Sequence, residues 1–153
     1  MNSIKTGDKI PPFSLPDQDG ALVDVGLLIG KKKIVIFFYP KDDSPGCTKE
    51  ACYFRDLYEV FTDAGAVLIG ISGQSVESHK KFAEKYRLNY SILSDKGNSV
   101  RKLFGVPTNL FGLLPGRVTY LVDSKGTVAH IFNSQTQTER HVDEALKILK
   151  DLV

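Results

Sequence analysis

The spacing of apolar positions changes several times along the chain, and each change marks an element. From Phe13 to Val25 the apolar residues alternate around Asp17-Gln18-Asp19-Gly20, which predicts a small hairpin near the start. Ile34 to Tyr39 is a continuous β-branched and aromatic run stopped by Pro40, the pattern of a strand buried on both faces. Between Thr48 and Phe61, the residues Ala51, Phe54, Leu57, Tyr58 and Phe61 recur at steps of three and four. That spacing predicts one helix with a single buried stripe. Gly65 is a stop signal, Ala66 to Ser72 a second buried strand, and Ser75 to Tyr86 a polar-faced helix capped by Ser75.

The strand–helix–strand–helix order implies a parallel core. Ser91 to Ser94 reads as a short strand and Asn98 to Phe104 as a short helix. Val118 to Val122 and Thr127 to Phe132 form a hairpin around Asp123-Ser124-Lys125-Gly126, and a last helix runs from Glu139 to Leu152. The expected fold is α/β and thioredoxin-like: a mixed central sheet flanked by helices, with an N-terminal β-hairpin.

Composition narrows the picture. A domain of roughly 150 residues buries about 68–70% of its unfolded surface, so no disulfide or structural metal is needed and the two cysteines are free for chemistry. No internal repeat or flexible linker divides the chain, and residues 1–153 read as one domain. With 42% hydrophobic and 25% charged residues, disordered and low-complexity classes are excluded. Twenty Lys and Arg against 18 Asp and Glu leave a charge of +2, which argues against a dedicated nucleic-acid binder. Lys31-Lys32-Lys33, the only basic run, reads as a solvated turn before a buried strand. Ile34 to Tyr39 is far shorter than the roughly 18–20 residues of a membrane span, so a soluble protein with no membrane partner is expected. Met1 to Lys5 has neither an apolar core nor transit-peptide character, which leaves a cytoplasmic protein or one whose leader has been trimmed.

The chemistry sits where the first buried strand passes into the first long helix. Cys47 falls in that helix's first turn, after Pro45-Gly46. The free N–H groups and the positive dipole end favour thiolate there. A lone cysteine is more often a small buried hydrophobe, but this placement points to a nucleophile. Cys52 follows five residues later. On a helix, five residues advance about 7.5 Å and turn about 500°, leaving Cα atoms roughly 8–9 Å apart, beyond the approximately 7 Å reach of a disulfide. If the two bond, the first turns must unwind. Spacing alone also allows Cys52 to be a core cysteine on the stripe. Arg117, opening a strand after a glycine, reads by itself as a surface ion-pair partner, and Glu50 as a residue compatible with the helix dipole. His79, His130 and His141 show no ligand spacing and read as structural or surface residues. No Ser/His/Asp constellation or phosphate-cradling glycine loop is present.

Pro40-x3-Ser44-x2-Cys47, with Pro45-Gly46 before Cys47 and Cys52 five residues after it, resembles the active-site segment of peroxiredoxins. More narrowly it is similar to the peroxiredoxin Q or bacterioferritin-comigratory-protein group. The likeness covers nearly the whole chain, including Pro12 to Gly20, Gly70-Ile71-Ser72, Ser78 to Ala83, Leu93-Ser94-Asp95, Gly105-Val106-Pro107 and Pro115-Gly116-Arg117. Phe111 to Arg117 resembles members from plastids and cyanobacteria.

By this resemblance Cys47 is the peroxidatic cysteine, oxidised to a sulfenic acid by a hydroperoxide, and Cys52 resolves it as an intramolecular disulfide. Arg117 matches the family's active-site arginine, which stabilises the thiolate and orients the peroxide. Ser44 stands where most members have threonine, and its hydroxyl is suited to accept from the peroxide and donate to the sulfur. Pro40 contributes a fixed, apolar wall that shields the thiolate from water. The implied activity is a thiol-dependent peroxidase without metal, haem or flavin, recycled by thioredoxin or a related dithiol protein, and acting as a monomer. A thioredoxin-like disulfide reductase is disfavoured because such proteins use C-x-x-C. A thiol-based redox sensor shares the first step and differs in turnover. Substrate preference is expected to depend on how Asn109-Leu110-Phe111 folds over Cys47.

Overall fold

The computed structural model describes residues 3–109 and 114–152. Its first strands, β1 (Ser14–Pro16) and β2 (Leu22–Asp24), pair antiparallel as the expected N-terminal hairpin. Then come β3 (Lys33–Phe38), α1 (Pro45–Asp56), α2 (Tyr58–Asp63), β4 (Ala66–Ser72), α3 (Val76–Tyr86) and β5 (Ser91–Ser94). The chain continues through α4 (Ser99–Phe104), the two-residue strands β6 (Thr108–Asn109) and β7 (Leu114–Pro115), β8 (Val118–Val122), β9 (Val128–Asn133) and α5 (Thr138–Asp151).

The central sheet has the order β5-β4-β3-β8-β9. Strands β3, β4 and β5 run parallel, while β8 is antiparallel to both β3 and β9. This is the mixed sheet that the element order predicts. Alternation within β3 sorts its side chains into two cores. Ile34, Ile36 and Phe38 face Phe13, Val100, Phe104 and Tyr120 on one side, and Val35, Phe37 and Tyr39 face Cys47, Phe54, Phe61 and Val142 on the other. No described helix is long and apolar enough to cross a membrane.

One expected element differs. The helix predicted from Thr48 to Phe61 starts earlier, at Pro45, and is broken at Leu57, whose φ of −103° and ψ of 11° leave the helical region. The two halves serve different partners: α1 packs on α5 and α2 on β4. A straight helix could not present its stripe to both. The pair β6 and β7, too short for any periodicity to mark, was not anticipated.

Candidate active site

Strand β3 delivers the chain to Pro40, and α1 begins five residues later with Pro45 as its first residue, where a missing N–H costs nothing. Cys47 is third in the helix, among N–H groups that have no intrahelical acceptor, at the positive end of the helix dipole. The side chain is buried, 1% exposed. Its sulfur accepts an N–H from Arg117, with Nη2 at 3.3 Å from Sγ.

Three contacts orient the Arg117 guanidinium: Nη2 on Cys47, Nη1 on Glu50 Oε1 at 2.8 Å and Nε on the Gln135 carbonyl at 3.0 Å. Burial works against its charge, but Glu50 and Cys47 more than offset this and hold its pKa above the ordinary value. The close approach requires a glycine in α1, since a Cβ on Gly46 would stand 3.1 Å from Arg117 Nη2. Arg117 is thus an interior residue, 4% exposed, and not the surface ion-pair partner its local sequence suggests.

Glu50 needs the larger correction. Read as a dipole-compatible residue of the first turn, it is fully buried behind Arg117. Burial pushes its carboxyl up to about 7, against the pull of Arg117. Among the described residues its Oε2 has no hydrogen-bond partner, and it lies 3.6 Å from His141 Nδ1. His141 donates from Nε2 to the Ser134 carbonyl at 2.7 Å, so Nδ1 carries the lone pair and accepts from the Thr119 hydroxyl at 2.8 Å. Burial pushes the His141 pKa down to about 4, which keeps the ring neutral. The signal for Glu50 was present in the sequence: three residues after Cys47, it falls on the helix's buried face.

Pro40, Ser44, Pro45, Gly46 and Arg117 line one cleft beside Cys47. The Ser44 hydroxyl donates to the Lys41 carbonyl at 3.0 Å, so its proton is directed away from the sulfur, contrary to expectation; its lone pairs remain available as acceptors. Behind this wall, Asp42 accepts from the Tyr39 hydroxyl at 2.6 Å and the Ser78 hydroxyl at 2.7 Å, and meets His79 Nδ1 at 2.6 Å. His79 Nε2 faces the Leu93 carbonyl at 3.0 Å. This buried cluster, which sequence reasoning did not identify, clamps the Pro40–Ser44 loop to α3.

Cys52 lies on the same helix, partly buried, and both cysteines are free thiols. Burial pushes its pKa up while the Arg55 guanidinium pulls it down. Arg55 Nη1 stands 3.6 Å from Cys52 Sγ and donates to the Tyr86 carbonyl at 2.6 Å. Among the described residues no cluster of three or more His, Cys, Asp or Glu is placed to hold a metal. Leu110 and Phe111, expected to set the width of the pocket, lie outside the described residues, as does the side chain of Asn109.

The arrangement combines a buried cysteine at a helix N-terminus, a guanidinium fixed against its sulfur and a cleft with apolar walls. The model of the AhpC/TSA family matches residues 6–131. The chain is 54% identical over 149 residues to the chloroplastic peroxiredoxin Q of Sedum lineare, covering 97% of this chain and 80% of that one. It is likewise 54% identical to the chloroplastic peroxiredoxin Q of Arabidopsis thaliana, over 96% of this chain and 68% of that one. Among solved structures, the peroxidoxin BcpB of Mycobacterium tuberculosis superposes with a TM-score of 0.89 at 39% identity, covering 98% of this chain and 99% of that one. Peroxiredoxin Q of Xanthomonas campestris superposes with a TM-score of 0.82 at 31% identity, covering 91% and 90%.

Proposed function

The chain belongs to the AhpC/TSA family, grouping there with the peroxiredoxins Q, and on that premise we propose that Cys47 and Cys52 are its peroxidatic and resolving cysteines. As a peroxiredoxin it is a thiol-dependent peroxidase. The Cys47 thiolate attacks one oxygen of a hydroperoxide, the O–O bond breaks, and the sulfur keeps a hydroxyl as sulfenic acid. The second oxygen departs with the bonding pair and takes up a proton, giving water from hydrogen peroxide or an alcohol from an organic hydroperoxide. Cys52 then displaces the hydroxyl as water and closes the disulfide. Two thiol–disulfide exchanges with thioredoxin or a related dithiol protein restore both thiols.

Arg117 holds the thiolate and supplies donors along the line of attack, Pro40 closes the cleft against water, and Ser44 accepts from the peroxide's O–H. The observation that carries this reading is the Arg117 Nη2–Cys47 Sγ contact at 3.3 Å beside the cleft wall formed by Pro40 and Ser44. The protein acts as a monomer on a small hydroperoxide, without nucleic acid, membrane, metal or cofactor. Its similarity to chloroplastic relatives supports a plastid setting.

The test is intact mass and free-thiol count after one equivalent of hydrogen peroxide, followed by thioredoxin, its reductase and NADPH. Loss of both thiols and of two hydrogens' mass, reversed with catalytic NADPH consumption, is expected. Oxidation that thioredoxin cannot reverse would remove the recycling partner, and a persisting one-time oxidation would move the protein toward a sensor.

A further inference from the structure

The ladder between β3 and β8 ends where Phe38 faces Val118. The next residues are the ones that build the cleft, and the ladder cannot continue into them because Pro40 has no N–H to give. The Tyr39 N–H is already used on the other neighbour, donating to the Ile71 carbonyl at 3.1 Å. The Gly116 carbonyl, which continues the register opposite Pro40, therefore needs a donor from outside the sheet, and the Tyr39 carbonyl, where β3 has ended, takes one too.

Arg101 supplies both. From α4, its Nη1 donates to the Gly116 carbonyl at 2.8 Å and its Nη2 to the Tyr39 carbonyl at 3.3 Å. One planar guanidinium thus joins the residue before Arg117 to the residue before Pro40. The group is 7% exposed and stands 5.5 Å from the centre of the Phe38 ring, and its backbone N–H is held by Asp95 Oδ2 at 2.9 Å. On its other side Gly116 is pressed against Pro107: a Cβ there would lie 1.9 Å from the Pro107 carbonyl oxygen. Burial pulls the Arg101 pKa down, countered by the fields of Asp95, Tyr120 and Cys47. A lysine could carry the charge but not the two-pronged geometry.

We propose that Arg101 is a positioning residue for peroxide reduction: its guanidinium bridges the two strands where their ladder stops and so fixes the spacing of Pro40 and Arg117 across the cleft at Cys47. This rests on the assignment of Pro40 and Arg117 to the peroxide site.

The test compares two reactions of Cys47 in a Cys52→Ser background, where it is the remaining thiol. Alkylation by iodoacetamide needs a nucleophilic sulfur and no aligned peroxide; sulfenic acid formation with hydrogen peroxide needs both. In Arg101→Lys the alkylation rate should stay within about twofold of the parent, while the peroxide rate falls about 10- to 100-fold, as a misplacement of about 1 Å can cause. Arg101→Gln, which cannot span both carbonyls, should lower the ratio of peroxide to alkylation rate at least as far. A purely structural arginine would lower the melting temperature and leave that ratio at the parental value, and this result would overturn the proposal. Arg117→Met serves as the reference. If it lowers the ratio and the Arg101 variants do not, the present inference fails alone; if Arg117→Met leaves the ratio unchanged, the site assignment beneath it fails. Should both Arg101 variants fail to fold, Asp95→Asn loosens the start of α4 with the guanidinium intact. A several-fold fall in the ratio supports the proposal, and an unchanged ratio overturns it.

Discussion

Replacing Glu50 by glutamine isolates the electrostatic cost of burying the partner of Arg117. The Glu50 carboxyl is carried from its ordinary 4.5 to about 7 by burial, net of the pull of Arg117. A carboxyl with a raised folded value binds more protons in the native state than in the unfolded one. Its contribution to stability is therefore present below the unfolded value and lost as pH climbs from about 4.5 through about 7. At about 1.36 kcal/mol per pH unit the loss amounts to roughly 3 kcal/mol, fully developed above pH 7. Glutamine mimics the protonated form and keeps an oxygen for Arg117 Nη1. Glu50→Gln should thus match the parent in stability near pH 4.5 and exceed it by roughly 2–3 kcal/mol at pH 8. His141 works in the opposite sense, because its depressed value contributes stability above 6.5 that is lost as pH falls toward about 4. His141 touches Glu50, but its value of about 4 keeps it neutral at pH 6.5 and 8, so the change in the difference between those two points belongs to Glu50. The assay is urea unfolding of the fully reduced proteins at pH 4.5, 6.5 and 8. A stability difference that stays constant across that range would refute the argument that Glu50 is held against its charge.

Cys52→Ser should still form one sulfenic acid per chain, fail to turn over with thioredoxin and over-oxidise sooner, as followed by intact mass; parental steady-state turnover would take Cys52 out of the cycle. In Gly46→Ala the new methyl crowds Arg117 Nη2, which a Cβ there would meet at 3.1 Å, and the second-order rate with hydrogen peroxide should fall about tenfold. An unchanged rate would mean that the guanidinium can shift without consequence. Tyr90→Phe removes the hydroxyl that donates to the Ala51 carbonyl at 2.8 Å, between the two cysteines. Losing about 1 kcal/mol from the folded helix should speed disulfide closure roughly fivefold in stopped-flow traces, and a slower closure would show that this bond does not restrain α1.

The architecture was largely legible because its elements have strong local periods. The run Ile34 to Tyr39 and the segment Ala66 to Ser72 became the two central parallel strands, and Ser75 caps α3 by accepting from the Ser78 N–H at 3.1 Å. Cys47, Cys52, Pro40 and Ser44 could be placed near one another because they lie within one short stretch of chain. Pairings across long separations were not: Arg117 meets Glu50 from 67 residues away, and His79 meets Asp42 from 37. Local composition carries no record of such contacts. A glutamate on the buried stripe of α1 was the one local sign that a cation had to approach it. The break at Leu57 was hidden for a related reason, since Phe54 and Phe61 keep helical spacing although the segments that bear them pack on different elements.

The distribution of contacts along α1 says how far it must unwind in the proposed cycle. Ahead of Cys52 the helix is held mainly by polar contacts, Arg117 on Cys47, Glu50 on Arg117 and Tyr90 on the Ala51 carbonyl, and its fully buried apolar side chains there are only Cys47 and Ala51. The first of these contacts weakens by the reaction itself. Between the Arg117 guanidinium and a thiolate both partners are charged, and conversion of Cys47 to a neutral sulfenic acid leaves only the donor's charge. Beyond Cys52 the restraint changes character. Phe54 is fully buried and stacked on Phe37 with ring centres 4.4 Å apart, and Arg55 ties the helix to the Tyr86 carbonyl at 2.6 Å. Exposing a phenylalanine alone costs about 1.5–3 kcal/mol, more than losing the Tyr90 bond at about 1 kcal/mol. In the proposed cycle unwinding is therefore expected to start at Pro45, run through Cys52 and stop before Phe54. On this reading oxidation would release the turns that keep the two sulfurs apart, while the aromatic core under the rest of the helix would hold the fold ready to re-form the site once the disulfide is reduced.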